Sequence, residues 1–142
     1  MTKIFIDSDI ILDLLLKRNE YNSAAELMTG LIDKKYLGYT TPIVVANIHY
    51  IMTKLESKTK SIENIKKLRK FISILSIDEE IIDDALLLGA SDFEDSIQYI
   101  ASERYKMDFV ITRNKKDYKK CKLSVLNAQE FLILDENLEE TV

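Results

Sequence analysis

The 142-residue chain holds one cysteine, one histidine, one proline, three glycines and no tryptophan. With Cys121 as the only thiol, no intramolecular disulfide can form and no cysteine-rich metal cage can be assembled. His49 has no second metal-type side chain near it in the sequence, which leaves it a structural or surface role. A Cys121 and His49 nucleophile pair has in its favour only the lysines around Cys121, cations of the kind that lower a thiol pKa, and nothing brings the histidine to them. No apolar stretch approaches the length of a membrane span, and the first residues show neither a signal-peptide core nor a small-residue cleavage site. A soluble, cytoplasmic protein with no membrane contact is expected.

What is present fits one compact domain. The chain is 46% hydrophobic and 31% charged, enough for a single core and too short for two domains of ordinary size. The formal net charge of -4 is unevenly spread. Residues 135–142 carry Asp135, Glu136, Glu139 and Glu140; without them the body of residues 1–134 balances 20 bases against 20 acids. That tail has few apolar residues and no helix or strand punctuation, so it is expected to be loosely attached, or to lie over the basic edge at residues 113–122. Residues 54–70 hold seven bases and two acids, residues 113–122 six bases and one acid, and residues 78–95 eight acids and no base. Such segregation suits a basic surface beside an acidic centre. The bases of residues 54–70 read mainly as a solvated helix face.

Periodicity predicts alternating strands and helices. "KIFID" reads as a short buried strand ending at Asp7, and "SDIILDLLLKR" as a helix capped by Ser8 or Asp9. Asp13, inside that helix, is assigned to a solvated face. A helix over "YNSAAELMTGLIDKK" precedes a strand at "YLGYTT", and Thr41 with Pro42 forms the cap and first turn of "PIVVANIHYIMTKL". "SIENIKKLRKFISIL" is read as one helix with Ser61 at its start. "EEIIDDALLLG" forms a short helix ending near Gly89, and Ser91 with Glu94 has capping-box spacing for a helix over "SDFEDSIQYIASERY". "DFVITRN" is the clearest buried strand, and "LSVLNAQEFL" a last strand leading into a helical turn. Tyr50, Tyr99 and Tyr105 fill gaps at the edge of the core. This alternation argues for an α/β sandwich with a central parallel sheet.

In such sheets sites gather at the carboxyl ends of the strands, so Asp7 and the segment from Asn114 to Asp117 can converge if the first and fourth strands are neighbours. Asp92 and Asp95, one helical turn apart, point the same way from a helix start. Carboxylates concentrated from three segments repel one another, and a hard divalent cation, Mg²⁺ or Mn²⁺, is the simplest remedy. The same acids also stand where helix caps and helix dipoles favour them without any further role: Asp7 and Asp9 for the first helix, Asp92 and Glu94 for the sixth.

"FIDSDIILDLL", "DFEDSIQYIA" and "FVITRNKKDY" followed by "VLNAQEFL" resemble, in order and spacing, the signature of the PIN-domain ribonucleases. They are most similar to the VapC-like toxin nucleases of type II toxin and antitoxin pairs. The resemblance runs from Ile4 to about Leu132. It implies a three-layer α/β/α fold, an acidic pocket binding Mg²⁺ or Mn²⁺, and cleavage of single-stranded RNA. It also implies an antitoxin protein as partner, and a homodimer is compatible with it. Asp7 matches the family's first acid and Asp95 the acid that begins its late helix, while Thr112, Asn114 and Asp117 match the rim after the fourth strand. The family's third-helix glutamate is replaced by Asn47, an amide without charge, and Asp92 is the available substitute.

The mechanism this implies is metal-assisted phosphodiester hydrolysis. Asp7, Asp95 and Asp117 hold the metal, Asn114 and Asn47 orient water or phosphate, and Thr112 or Ser8 donates a hydrogen bond. Lys115, Lys116, Lys119 and Lys120 grip the RNA backbone, with Tyr118 stacking on a base. A catalytically weak or inactive RNA-binding or partner-binding module is the alternative. "FIDSDI" also resembles the Asp-x-Asp start of haloacid-dehalogenase-like phosphatases, but the threonine and glycine expected next are absent.

Overall fold

The computed structural model describes residues 1–89 and 92–140. Among these residues five strands, β1 (Lys3–Ile6), β2 (Leu37–Thr40), β3 (Ile72–Ile74), β4 (Phe109–Ile111) and β5 (Ser124–Leu126), form one sheet in the order β3-β2-β1-β4-β5. Every neighbouring pair is parallel. β1 is central, with Phe5 opposite Tyr39 of β2 and Val110 of β4. Consecutive residues of a strand face opposite sides, yet Ile4, Phe5, Ile6, Val110 and Ile111 are all buried. Both faces of the sheet are therefore covered, as a parallel sheet requires.

Among the described residues seven α-helices do the covering: α1 (Ser8–Leu16), α2 (Tyr21–Ile32), α3 (Pro42–Leu55), α4 (Lys58–Leu68), α5 (Glu79–Leu88), α6 (Phe93–Arg104) and α7 (Ala128–Glu140). The largest buried side chains, Tyr36, Phe5 and Phe131, lie in the main core. Tyr36 meets Phe131 edge-on at 4.9 Å between ring centroids, and Phe109 meets Phe131 at 5.7 Å. The Tyr36 hydroxyl donates to the Leu27 carbonyl at 2.9 Å across the surface of Gly30, where a Cβ would stand 2.0 Å from that hydroxyl oxygen. Gly30 is thus required by close approach. A smaller cluster of Ile81, Ala85, Ile97 and Ala101 joins α5 to α6, and Gly89, at φ +64°, ends α5 in the left-handed conformation that glycine adopts without strain. No helix among the described residues is long and apolar enough to cross a membrane.

Of the residues considered as caps of α1, Asp7 occupies the N-cap and Ser8 and Asp9 do not. The structure departs from the sequence reading at three places. α4 begins after Ser57, whose side chain accepts from the Lys60 N–H at 3.1 Å; Ser61 is buried inside the helix, 2.8 Å from His49 Nδ1. The expected long helix over residues 61–75 stops at Leu68, and residues 72–74 become β3, because pairing beside β2 buries Ile72 and the Arg69 guanidinium closes the turn on the Ile72 carbonyl at 2.8 Å. Asp92 caps α6, as one reading of that acid expects, accepting from the Asp95 N–H at 3.0 Å, while Ser91 of the capping-box reading lies outside the described residues. Lastly, the acids from residue 135 to Glu140 continue α7 instead of forming a loose tail. Asn127 and Glu130 start that helix by exchanging side-chain-to-backbone bonds at 2.8 and 2.9 Å, and the acid Glu139 stands 4.0 Å from Lys35, which is not part of the basic edge expected to attract it. Residues 141 and 142 lie outside the described residues.

Candidate active site

The chain leaves β1 toward β2 and β3 on one side and reaches β4 and β5 on the other. The strand order therefore reverses between β1 and β4, and their carboxyl ends open a crevice of the kind where α/β sheets place their sites. Asp7 leaves β1 there and Thr112 leaves β4, tied by the Asp7 N–H donating to the Ile111 carbonyl at 3.0 Å. Asp7 is 7% exposed. Its Oδ1 accepts from the Ser8 N–H at 2.8 Å, and its Oδ2 accepts from the Thr112 hydroxyl at 2.9 Å and the Tyr118 hydroxyl at 3.1 Å. Thr112 Oγ1 also stands 3.2 Å from Asp9 Oδ2, but one hydroxyl proton serves one acceptor, and the shorter contact is to Asp7.

Asp95, in the first turn of α6, faces a cleft of about 170 Å³ lined by Tyr99, Lys116, Asp117, Lys119 and Lys120 among others. Burial first, then the charges of Asp7, Asp92, Asp117 and Glu94, push its carboxyl up to about 7. Burial, followed by the charge of Asp9, pushes Asp7 up to about 6 against the pull of its three hydrogen bonds. Asp9 is raised as well, chiefly by burial, and its Oδ1 is buried without a partner. The Tyr118 phenol is held far above its ordinary range by burial and by the charges of Asp7 and Asp95, so it keeps the proton that it donates to Asp7.

Three segments thus bring Asp7, Asp95 and Asp117 into one electrostatic field, with Asp92 at the cap of the same helix as Asp95. Among the described residues no three His, Cys, Asp or Glu side chains are grouped as a ready cation cage. No ion pair among the described residues involves Asp7, Asp92, Asp95 or Asp117. These uncompensated hard oxygen donors fit a divalent cation, whose charge would offset the acid–acid repulsion that adds to burial in raising Asp7 and Asp95. Asn47 touches the edge of this group: its Nδ2 donates to Ser8 Oγ at 3.3 Å, one residue beyond Asp7. Asn114 holds the loop, its N–H donating to Thr112 Oγ1 at 3.1 Å and its carbonyl accepting from Asp117 N–H at 3.0 Å.

Several expectations are corrected. Tyr118 is buried against Asp7 and has no face free for a base. Lys115 is spent on Glu130, at 2.9 Å, and Lys120 donates to the Leu88 carbonyl, which leaves Lys116 and Lys119 as exposed cations at the rim. Burial pushes the Cys121 thiol up to about 11, the opposite of an activated nucleophile. Tyr50 is 59% exposed and fills no core gap.

The largest correction concerns Asp13, expected on a solvated face and in fact fully buried. Arg113 Nη2 donates to its Oδ1 at 3.1 Å, and Nε stands 2.7 Å from Oδ2 but off the hydrogen-bond axis. Arg18 Nε lies 3.6 Å from Oδ1, and the Asn19 amide and Glu20 N–H approach at 3.5 and 3.4 Å. The Arg113 N–H donates to Asp9 Oδ2 at 3.0 Å, so α1 grips the loop after β4 twice, through backbone and through guanidinium. The available signal was an acid in the middle of an otherwise apolar helix, with a lone arginine in the rim segment to answer it.

A PIN-domain family model matches residues 3–116, and the chain belongs to that family. No curated protein sequence matches it significantly. Among solved structures it is similar to VapBC-1 of nontypeable Haemophilus influenzae, at 17% identity and a TM-score of 0.70 over 90% of this chain and 99% of that one. It is likewise similar to VapBC2 of Rickettsia felis bound to a promoter DNA fragment, at 13% identity and a TM-score of 0.69 over 89% and 98%. VapC20 of Mycobacterium tuberculosis, described as a sarcin-ricin-loop-cleaving toxin, matches at 12% identity and a TM-score of 0.64 over 75% and 86%.

Proposed function

We propose that the protein is a Mg²⁺- or Mn²⁺-dependent endoribonuclease that hydrolyses phosphodiester bonds of single-stranded RNA in the cytoplasm, as the toxin of a toxin-antitoxin pair. The observation that carries this reading is the Asp7 carboxylate, without an ion-pair partner, at the β1 and β4 crevice, with Asp95 in the field of both Asp7 and Asp117. Asp7, Asp95 and Asp117 hold the cation, with Asp92 beside Asp95 in place of the charge that Asn47 lacks. When bound, such a cation supplies a water of lowered pKa and offsets charge on the scissile phosphate. Thr112 keeps Asp7 oriented through its hydroxyl, and Asn114 fixes Thr112 in turn. Lys116 and Lys119, exposed at the rim of the cleft, bind the phosphate backbone.

Likeness to toxin-antitoxin complexes such as VapBC-1 and VapBC2 supports an antitoxin partner, and with it a homodimeric assembly. Incubating the protein with labelled single-stranded RNA, with Mn²⁺ or with EDTA, tests the activity. Cleavage that needs Mn²⁺ and disappears in Asp7→Asn is expected; cleavage indifferent to both would refute the assignment. The Asn47 amide, turned to Ser8, favours one second reading, a module that binds RNA or antitoxin with little turnover. RNA retention by filter binding without cleavage in Mn²⁺ would select it.

A further inference from the structure

The oxygens of Asp7 are unequally used. A carboxylate offers about four lone-pair sites, two on each oxygen. The Thr112 and Tyr118 hydroxyls take both sites on Oδ2, at 2.9 and 3.1 Å, while the Ser8 N–H takes one on Oδ1 at 2.8 Å. One site remains, on Oδ1. Tyr118 closes the 3₁₀ turn Lys115–Tyr118, which also carries Asp117, and Lys115 anchors the start of that turn to Glu130 of α7. The phenol is therefore the tie between the end of β1 and the turn that presents the third acid.

We propose that Tyr118 is a positioning residue: its hydroxyl restricts Asp7 to a single free donor site, on Oδ1, and sets the distance from Asp7 to Asp117. This rests on the reading of the crevice as a cation site. A phenylalanine would fill the same buried volume without either effect, so Tyr118→Phe separates positioning from packing.

The test is Mn²⁺ binding followed by electron paramagnetic resonance for the wild type and Tyr118→Phe, with thermal melting of both and a Mn²⁺-soaked crystal of the wild type. Expected are a manganese bound to Asp7 through Oδ1 alone, and an apparent Mn²⁺ affinity about tenfold weaker in Tyr118→Phe, the lower end of what loss of a ligand-orienting partner costs. In RNA cleavage the variant should lose kcat with KM unchanged. Equal Mn²⁺ affinities, or manganese bound through Oδ2, would overturn the role of Tyr118 while leaving the cation site intact. No manganese in the crevice of the wild type would overturn the cation site itself and this inference with it.

Discussion

Breaking the Asp13 and Arg113 pair should cost the protein more stability than breaking any of its surface ion pairs, and the two partners should not be equivalent. Asp13 is fully buried, whereas the Arg113 side chain is 29% exposed. Arg113→Met leaves a buried carboxylate with Arg18 at 3.6 Å and two long hydrogen bonds, so its cost should lie near the lower end of the range for an orphaned buried charge, about 3 kcal/mol. Asp13→Leu leaves a guanidinium that can turn to water, and roughly 1–2 kcal/mol is expected. The double variant removes both charges and packs two apolar chains in their place, so it should be near neutral, within about 1 kcal/mol of the wild type. For a domain of this size the Arg113→Met loss corresponds to a fall in Tm of about 10 °C. Denaturant titration of all four proteins gives the cycle. Additive losses in the double variant, or an Arg113→Met loss below about 1 kcal/mol, would show that the pair does not act as a buried tie between α1 and the loop after β4.

Three further outcomes are expected. The Asp7 carboxyl, up at about 6 in the folded protein and near 4 in the unfolded chain, keeps its proton longer when folded; its contribution is therefore present at low pH and lost as pH rises through about 6. In EDTA, the wild type should lose about 3 kcal/mol relative to Asp7→Asn between about pH 4 and about pH 7, and a pH-independent difference in melting would sink this. Asn47→Glu places a carboxylate beside Ser8 and should raise Mn²⁺ affinity by roughly tenfold in calorimetry; an unchanged affinity means the side chain does not face the cation. Gly30→Ala drives a methyl into the Tyr36 ring and should cost about 1–3 kcal/mol by thermal melting, with a loss under about 0.5 kcal/mol indicating that Tyr36 swings aside.

Where local chemistry decides, the sequence was legible. Thr41 and Pro42 start α3, Gly89 ends α5, and the apolar run at residues 109–111 is a buried strand beside β1. Boundaries decided by contacts between distant segments were not. Residues 72–74 carry no signal that outweighs the helical run before them; they become a strand because β2 offers an edge. The end of α7 looked like a tail because its acids hid the capping exchange between Asn127 and Glu130 and the anchoring of Phe131 against Tyr36.

The same division runs through the site. Asp7 and Asp13 are both acids in one apolar stretch, and the sequence assigned one to chemistry and the other to solvent. Both are in fact buried. What distinguishes them is the disposition of a cation that lies 100 residues beyond Asp13 in the chain. Arg113 leaves the end of β4 within reach of α1 and spends its guanidinium hydrogen bond on Asp13, where Arg18 also approaches, while Asp9 receives its backbone N–H and part of its field. Asp7 receives neutral donors alone, from Ser8, Thr112 and Tyr118. Neutral donors lower the cost of ionising a buried carboxylate but do not cancel its charge. With Arg113 committed to Asp13, Asp7 has no ion-pair partner among the described residues: it either keeps its proton or takes a cation from outside the chain, and that is the physical ground for the proposal of a cation site in the crevice.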